Sequence, residues 1–340
     1  MSGRALVTGA TGLLGSHLVD ALVERGWRVR TLARSASAVG ALWNRGTEVA
    51  FGDLEDPASL ADAARDCDVI FHAAAAIGAG GRWERFRRLN VGGTAHVVEA
   101  ARRSGARLVH VSSTAVYGRA RYGARPTDEL TPLPELPEWD AYGRSKQEAE
   151  RVVLEACASG LVWAAVVRPS VMYGPGDRQF APRVGPVLER GTFPLIDGGL
   201  TRLTLAHARN VAEGALLSAS VEAARGQVFL LADDYPTTAV DLVRAAERGL
   251  GRRIRAPRVP RTLGRAAFVA LALMLRALGR ADLARHARGT FEMLTRDNPF
   301  TSERSRTELG WQPLVHPEHG LAEAFRSWKV AHQAASTRGE

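Results

Sequence analysis

Short apolar runs alternate with longer amphipathic stretches through the first half of the chain. In order they read ALVTG, a helical pattern through LLGSHLVDALVERG, then WRVRTLA and EVAFGDL. A helical stretch from Pro57 precedes DVIFHAAA, and a long one over residues 83–104 precedes RLVHVSST. A further helix from about Asp140 leads into LVWAAVVRP. Strands separated by helices pair in parallel through right-handed crossovers. Runs such as VIFHAAA and RLVHVSS are apolar at consecutive positions, as expected of a sheet covered on both faces. The pattern predicts an α/β fold: a doubly wound parallel sheet of the Rossmann type.

Past Tyr173 the pattern loosens. YGPGDRQFAPRVGP reads as loop, VAEGALLSASVEAA as helix, and QVFLLA as a strand that rejoins the sheet. From Pro236 onward the chain reads as mainly helical. The predicted organisation is a sheet domain over residues 1–175, with residues 201–235 returning to it. A smaller, mainly helical lobe for substrate is expected from residues 176–200 and 236–340. Within it AAFVALALML, residues 266–275, lies between Arg265 and Arg276. That run falls short of the roughly 20 residues that cross a bilayer. It reads equally as a buried helix, as the wall of an apolar pocket, or as part of a segment, 262–280, resting on a membrane surface.

The start, MSGRALVTGATG, enters a strand at once and leaves no room for a signal peptide. Cys67 and Cys157 form no CxxC pair and have no histidine cluster near them. A cytoplasmic protein without a metal site is the expectation. The net charge of +9 raises a nucleic-acid partner. The arginines, however, are scattered among 36 acidic residues, and neither RWERFRR nor RRIRAPRVPR is interleaved with aromatic residues in the way a base-stacking platform is. No nucleic-acid partner is expected, and a homodimer is left open.

TGATGLLG, residues 8–15, closes the first strand and opens the first helix. Gly9 permits a tight turn, Gly12 lets a pyrophosphate approach the backbone, and Gly15 allows the helix to lie close to the strand. The helix N-terminus then offers free N–H groups to phosphate. A dinucleotide site follows. The second strand ends RVRTLARSAS, with Ala33 where an acid for the ribose hydroxyls would stand and Arg34 beside it. An arginine there suits a 2′-phosphate, so NADP(H) is preferred and NAD(H) is the alternative. Asp53, in FGDLED, is placed to accept from the adenine amino group.

Of 45 basic residues only Lys146 and Lys329 are lysines. Lys146 stands four residues after Tyr142 in a helical stretch, so the two share a face. A phenol with a pKa of about 10 is too weak an acid for neutral pH, and a nearby ammonium lowers it. Lysine's compact charge can lie beneath a tyrosine and also donate to two ribose hydroxyls, which arginine's planar fork cannot.

TGATGLLG, GDLED, FHAAA, RLNVGGTAHVVEAA, VSSTAVYG, YGRSK and RPSVMYGPGD occur in this order and spacing. Together they resemble the extended short-chain dehydrogenase/reductases of the NAD-dependent epimerase/dehydratase superfamily. The resemblance implies a catalytic set of Ser113, Tyr142 and Lys146, with Thr114 as the fallback for the serine. It also implies that Asn90 steadies the active-site helix or holds a relay water. Further cofactor contacts are implied at Thr11, Leu13, Leu14, Leu54, Ala73, Ala74, Ala75 and Pro169. In the implied mechanism Tyr142 exchanges a proton with a substrate oxygen held by Ser113. A hydride passes between the adjacent carbon and the nicotinamide, while Lys146 positions the ribose.

Two enzyme classes share these motifs. Sugar-nucleotide enzymes resemble one another in R-x-x-N-V-Y-G-P, where this chain has RPSVMYGP and places Val171 at the asparagine's position. HARNV puts Asn210 where sugar enzymes favour aspartate, as in the 3β-hydroxysteroid dehydrogenase-like branch. The expectation is an NADP(H)-dependent oxidoreductase for an apolar or alicyclic, steroid-like or acyl, alcohol–ketone pair, with Ser113 and Val171 at the substrate. A nucleotide-sugar epimerase/dehydratase is the alternative. A non-catalytic NADP sensor is the third reading, which the intact Ser–Tyr–Lys set disfavours.

Overall fold

The computed structural model describes residues 3–35, 45–78, 82–118, 121, 125–232 and 234–336. Among them, β1 (Arg4–Thr8), β2 (Arg28–Ala33), β3 (Glu48–Phe51), β4 (Val69–His72), β5 (Arg107–Val111), β6 (Ala164–Pro169) and β10 (Val228–Leu231) form one sheet. Its order is β10-β6-β5-β4-β1-β2-β3, and every pairing is parallel. The chain reverses its winding between β4 and β1, the point at which open α/β sheets leave a crevice for ligand. Leu6, Ile70, Leu108 and Val166 of the strands are buried against Leu60 of α2 (Pro57–Ala64), Val97 and Ala101 of α4 (Gly93–Ser104), and Val153 of α5 (Ala141–Ala158). This is the doubly wound sheet the apolar runs predict.

The chain divides into two compact units. The first comprises residues 1–170, 208–232 and 301–314; the second comprises 171–207, 233–300 and 315–340. Residues 301–314, expected in the C-terminal lobe, cluster with the sheet for a visible reason. Ser302 Oγ accepts from Ala232 N at 3.1 Å and Ser305 Oγ donates to Leu230 O at 2.7 Å. Trp311 Nε1 donates to Asn210 O at 2.8 Å, and Asn210 Oδ1 accepts from Leu314 N at 2.9 Å. Asn210, whose type marks a branch in the sequence, thus works as a buried clamp on α7 (Ala208–Ser220).

The second unit has a core of its own, including Tyr173, Phe180, Leu242, Phe325 and Trp328. Here β7 (Val171–Tyr173) pairs with β9 (Leu205–His207), and β8 (Leu195–Ile196) with β11 (Arg258–Val259). The stretch read as loop after Tyr173 contains a helix, α6 (Phe180–Glu189). Its two prolines hid it. Pro182 falls in the first turn, where no N–H is needed, and Asp177 accepts from Gln179 N, Phe180 N and Ala181 N at 2.6–3.1 Å. A helix-capping arrangement of Thr238 and Asp241 starts α8 (Ala239–Leu250), which packs on α12 (Pro317–Ser336).

The buried-helix reading of 266–275 is overturned. That run lies in α9 (Arg261–Ala277), followed by α10 (Ala281–Thr295), and Val269, Leu271, Leu273 and Met274 are exposed. No helix among the described residues is long and apolar enough to cross a membrane.

Candidate active site

The residues singled out in the sequence collect at the carboxyl ends of the parallel strands of the first unit. After β1 the chain turns through Gly9, whose φ of 73° a side chain would strain. A Cβ on Gly9 would sit 2.7 Å from Ala74 N, and one on Gly15 would sit 2.1 Å from Gly9 O. Gly12 N donates to Gly9 O at 2.8 Å, and Gly12 stands at the head of α1 (Leu13–Glu24) with no side chain capping that end. The first-turn N–H groups of α1 therefore have no side-chain partner of their own, as an incoming phosphate requires. Thr11 is exposed and Leu13 half-buried, while Leu14 lies in the core and has only its main chain to offer. The cradle fits a dinucleotide.

At the end of β2, Ala33 is buried beside Phe51 and Arg34 is exposed. After β3, half-buried Asp53 accepts from Glu55 N at 3.0 Å through Oδ1, and Leu54 packs on Gly93 of α4. After β4, half-buried Ala73, Ala74 and Ala75 continue the edge; Ala73 N donates to Thr8 O and Ala74 N to Thr8 Oγ1, each at 3.3 Å. Pro169 ends β6.

The three residues that the resemblance implies as catalytic gather after β5. Asp140 caps α5 by accepting from Gly143 N at 3.0 Å, which sets Tyr142 in the first helical turn. Ser113 lies near enough to the Tyr142 phenol to lower its pKa, and its Oγ accepts from Ala115 N at 3.1 Å. Of the neighbouring hydroxyls, Ser112 is engaged by Glu150. Buried Lys146 donates from Nζ to Val111 O at 2.7 Å.

Burial pushes the Tyr142 phenol upward, against nearby Ser113, which lowers it, and Asp140 adds to the rise. The lowering of Tyr142 by Lys146 expected from their spacing is not what this site displays. The ammonium is drawn to the Val111 carbonyl, and burial brings its own pKa down to about 8 against the carboxylate of Glu150.

The helix expected over 83–104 is a composite. An α-helical turn, α3 (Trp83–Phe86), passes into a π-helical stretch, Arg87–Gly92, before α4. Such bulges re-aim side chains at functional sites. The one here turns Asn90 inward, where Oδ1 accepts from Ala76 N at 2.7 Å and Nδ2 donates to Ala76 O at 3.1 Å and Ser145 Oγ at 3.0 Å. Asn90 ties α5 to the loop after β4. Beneath it His72 is locked in one tautomer. Thr94 Oγ1 gives its proton to Asn90 O at 2.5 Å, so His72 Nε2 must donate to Thr94 at 3.0 Å. Nδ1 then accepts from Thr8 Oγ1 at 2.8 Å. Burial, with Lys146 adding, brings the His72 pKa down to about 3.

Sequence reasoning missed a charged network under the trio. Glu150 is held by Arg168, Nε at 3.0 Å and Nη2 at 2.6 Å, and Arg168 Nη1 donates to Tyr117 Oη at 2.6 Å. Tyr117 Oη in turn donates to Asp128 O at 2.8 Å. Two signals could have revealed it: Tyr142, Lys146 and Glu150 recur every four residues, and Arg168 interrupts the apolar run AAVVRP. Val171 is 43% exposed and belongs to the second unit.

The model of the NAD dependent epimerase/dehydratase family matches residues 5–232. A 4-hydroxy-2-methyl-3-oxo-4-farnesyl-3,4-dihydroquinoline-1-oxide ketoreductase from Stigmatella aurantiaca is 34% identical over 98% of each chain. A 3 beta-hydroxysteroid dehydrogenase/Delta 5-->4-isomerase from Mycobacterium tuberculosis is 30% identical, over 95% of this chain and 90% of the relative. A UDP-glucuronic acid 4-epimerase from Bacillus cereus, solved in complex with NAD, is 18% identical and superposes with a TM-score of 0.72 over 96% of each chain, a likeness of fold alone.

Proposed function

Because the chain belongs to the NAD-dependent epimerase/dehydratase family and is an NAD(P)-dependent oxidoreductase of the extended short-chain type, we propose that it interconverts a secondary alcohol and a ketone on an apolar or alicyclic substrate. The observation that carries this reading is the placing of Ser113 near enough to the Tyr142 phenol to lower its pKa, with Lys146 one helical turn further along α5. In the reducing direction the Ser113 hydroxyl holds the substrate oxygen and the Tyr142 phenol gives it a proton; in the oxidising direction the phenolate takes that proton back. A phenol raised by burial is protonated at neutral pH but a weaker acid, so its proton transfer needs the phenolate stabilised. Lys146 spends one donor on Val111 O and has two left for the phenolate and the cofactor ribose.

When bound, the nicotinamide dinucleotide supplies the two-electron redox chemistry. Gly9, Thr11 and the N-terminus of α1 would hold its pyrophosphate, Asp53 and Leu54 its adenine side, and Ala73–Ala75 and Pro169 the nicotinamide side. Exposed Arg34, directly after buried Ala33, supports NADP(H) over NAD(H). Two relatives are named for a farnesyl-bearing dihydroquinoline oxide and for a 3β-hydroxysteroid, which supports an apolar substrate here. Val171, which has no donor for a diphosphate, suits the same class.

The test is turnover of NADPH and NADH by the purified protein with steroid ketones, 3-oxoacyl compounds, prenylated ring ketones and UDP- or dTDP-sugars. Consumption of NADPH with an apolar ketone is the expected result. Turnover of a nucleotide sugar, with none on the ketones, would overturn the assignment.

A further inference from the structure

We propose that the α9–α10 hairpin of the second unit docks on an anionic lipid surface. Leu263, Leu271, Met274 and Leu278 follow one another at i, i+8, i+11 and i+15, the spacing of a single stripe along a helix. They are 61%, 40%, 54% and 66% exposed. The adjoining side of α9 is already used: Gly264 lies on Ile196, and Phe268 meets Phe291 of α10 at 5.4 Å. Val269, Leu273 and, on α10, Leu283 add to the exposed apolar surface. The stripe is thus a second apolar face, left over after the helix has packed.

The charge around it selects the occupant. Residues 252–281 hold eight arginines and no aspartate or glutamate, and all eight are exposed. Arg261, Arg265 and Arg276, at i, i+4 and i+15, make a line of their own on the face of α9 away from the stripe, next to Val269, and Arg280 follows the helix end. Among the described residues no carboxylate pairs with any of these four. An apolar stripe on one face of a helix, with arginines on another face that no described carboxylate pairs, matches the boundary between acyl chains and anionic headgroups, where the stripe enters and the guanidinium groups stay with phosphate. A second copy of this chain would bring two arginine-rich segments of the same charge together. Docking needs no crossing helix, and its argument stands apart from the proposed reaction.

Co-sedimentation of the full chain with vesicles tests the proposal. Wild type should bind phosphatidylglycerol-containing vesicles at least tenfold more tightly than phosphatidylcholine vesicles, and raised salt should weaken that binding. Leu271→Glu with Met274→Glu should lose it tenfold or more, as should the milder pair Leu271→Ser with Met274→Ser. Arg265→Gln with Arg276→Gln should weaken it while leaving the apolar stripe intact. Unchanged far-UV circular dichroism and melting would show that the variants are folded. Failure of wild type to bind phosphatidylglycerol vesicles, or undiminished binding by both apolar variants, would overturn the proposal. So would a wild-type dimer in sedimentation velocity that the apolar variants dissociate and that binds no vesicles.

Discussion

Replacing Glu150 by glutamine keeps the shape of the side chain and removes its charge, and we predict a heavy cost. Glu150 is 2% exposed and accepts from Arg168 Nε and Nη2 and from the Ser112 hydroxyl. Its negative charge also offsets the burial of Lys146. Glutamine would leave the buried Arg168 guanidinium without its anion and turn an amide towards it. Removing one partner of a buried pair typically costs about 3–5 kcal/mol, an appreciable part of the roughly 5–15 kcal/mol that holds a protein folded. Urea unfolding followed by circular dichroism should give a loss in that range. If charge is the cause, Glu150→Leu with Arg168→Met should be more stable than either single variant, because the uncompensated ion is gone. The same glutamine variant should move the titration of Lys146 from about 8 to lower pH. A loss below about 1 kcal/mol for Glu150→Gln, the range of a surface pair, would refute the reasoning.

Three further outcomes are expected. Tyr142→Phe should abolish turnover while cofactor affinity in a direct titration stays close to wild type, and substantial activity in the variant would exclude the tyrosine as the proton donor. Ala33→Asp with Arg34→Ala should shift preference from NADP(H) towards NAD(H), with the lost charge-assisted phosphate contact weakening NADPH by roughly 1.5–3 kcal/mol; a wild type that already prefers NADH in titration would contradict the assignment. His72 binds its proton near pH 3 in the fold and at about 6.5 when unfolded, so the unfolded chain takes up protons first as pH falls. Stability should decline from pH 6.5 towards 3, by up to about 5 kcal/mol from this residue, and His72→Gln should flatten that acid limb.

The parts of this site that were legible in the sequence are the local ones. Gly9, Gly12 and Gly15 are read from spacing because turn and helix packing are decided within seven residues. Tyr142 and Lys146 are read from one helical turn. The Ser113–Tyr142 contact needs β5 and α5 side by side, so only resemblance could suggest it. Glu150 and Arg168 look like surface residues until β6 and α5 bury them together. The run 266–275 misled for the reverse reason: apolar residues have the same period whether they meet a core or solvent. The Tyr142 pKa was misjudged because spacing gives proximity but not the direction of an ammonium, and Val111 O claims Lys146.

The route of the chain has a consequence for synthesis. It passes between the two units five times, at 170/171, 207/208, 232/233, 300/301 and 314/315. β10 is the outer strand of the sheet, and side chains from elsewhere occupy its free main-chain groups: Glu129 Oε1 accepts from Leu230 N at 2.6 Å and Ser305 Oγ donates to Leu230 O. On a ribosome adding about 10 residues per second, roughly half a minute passes before residue 314 exists. Until then the strand edge is an open template for another nascent chain. Neither unit is one contiguous piece of gene, so a chain ending at any of the first four boundaries leaves both incomplete, and recombination that exchanged the whole second unit would need several simultaneous joins.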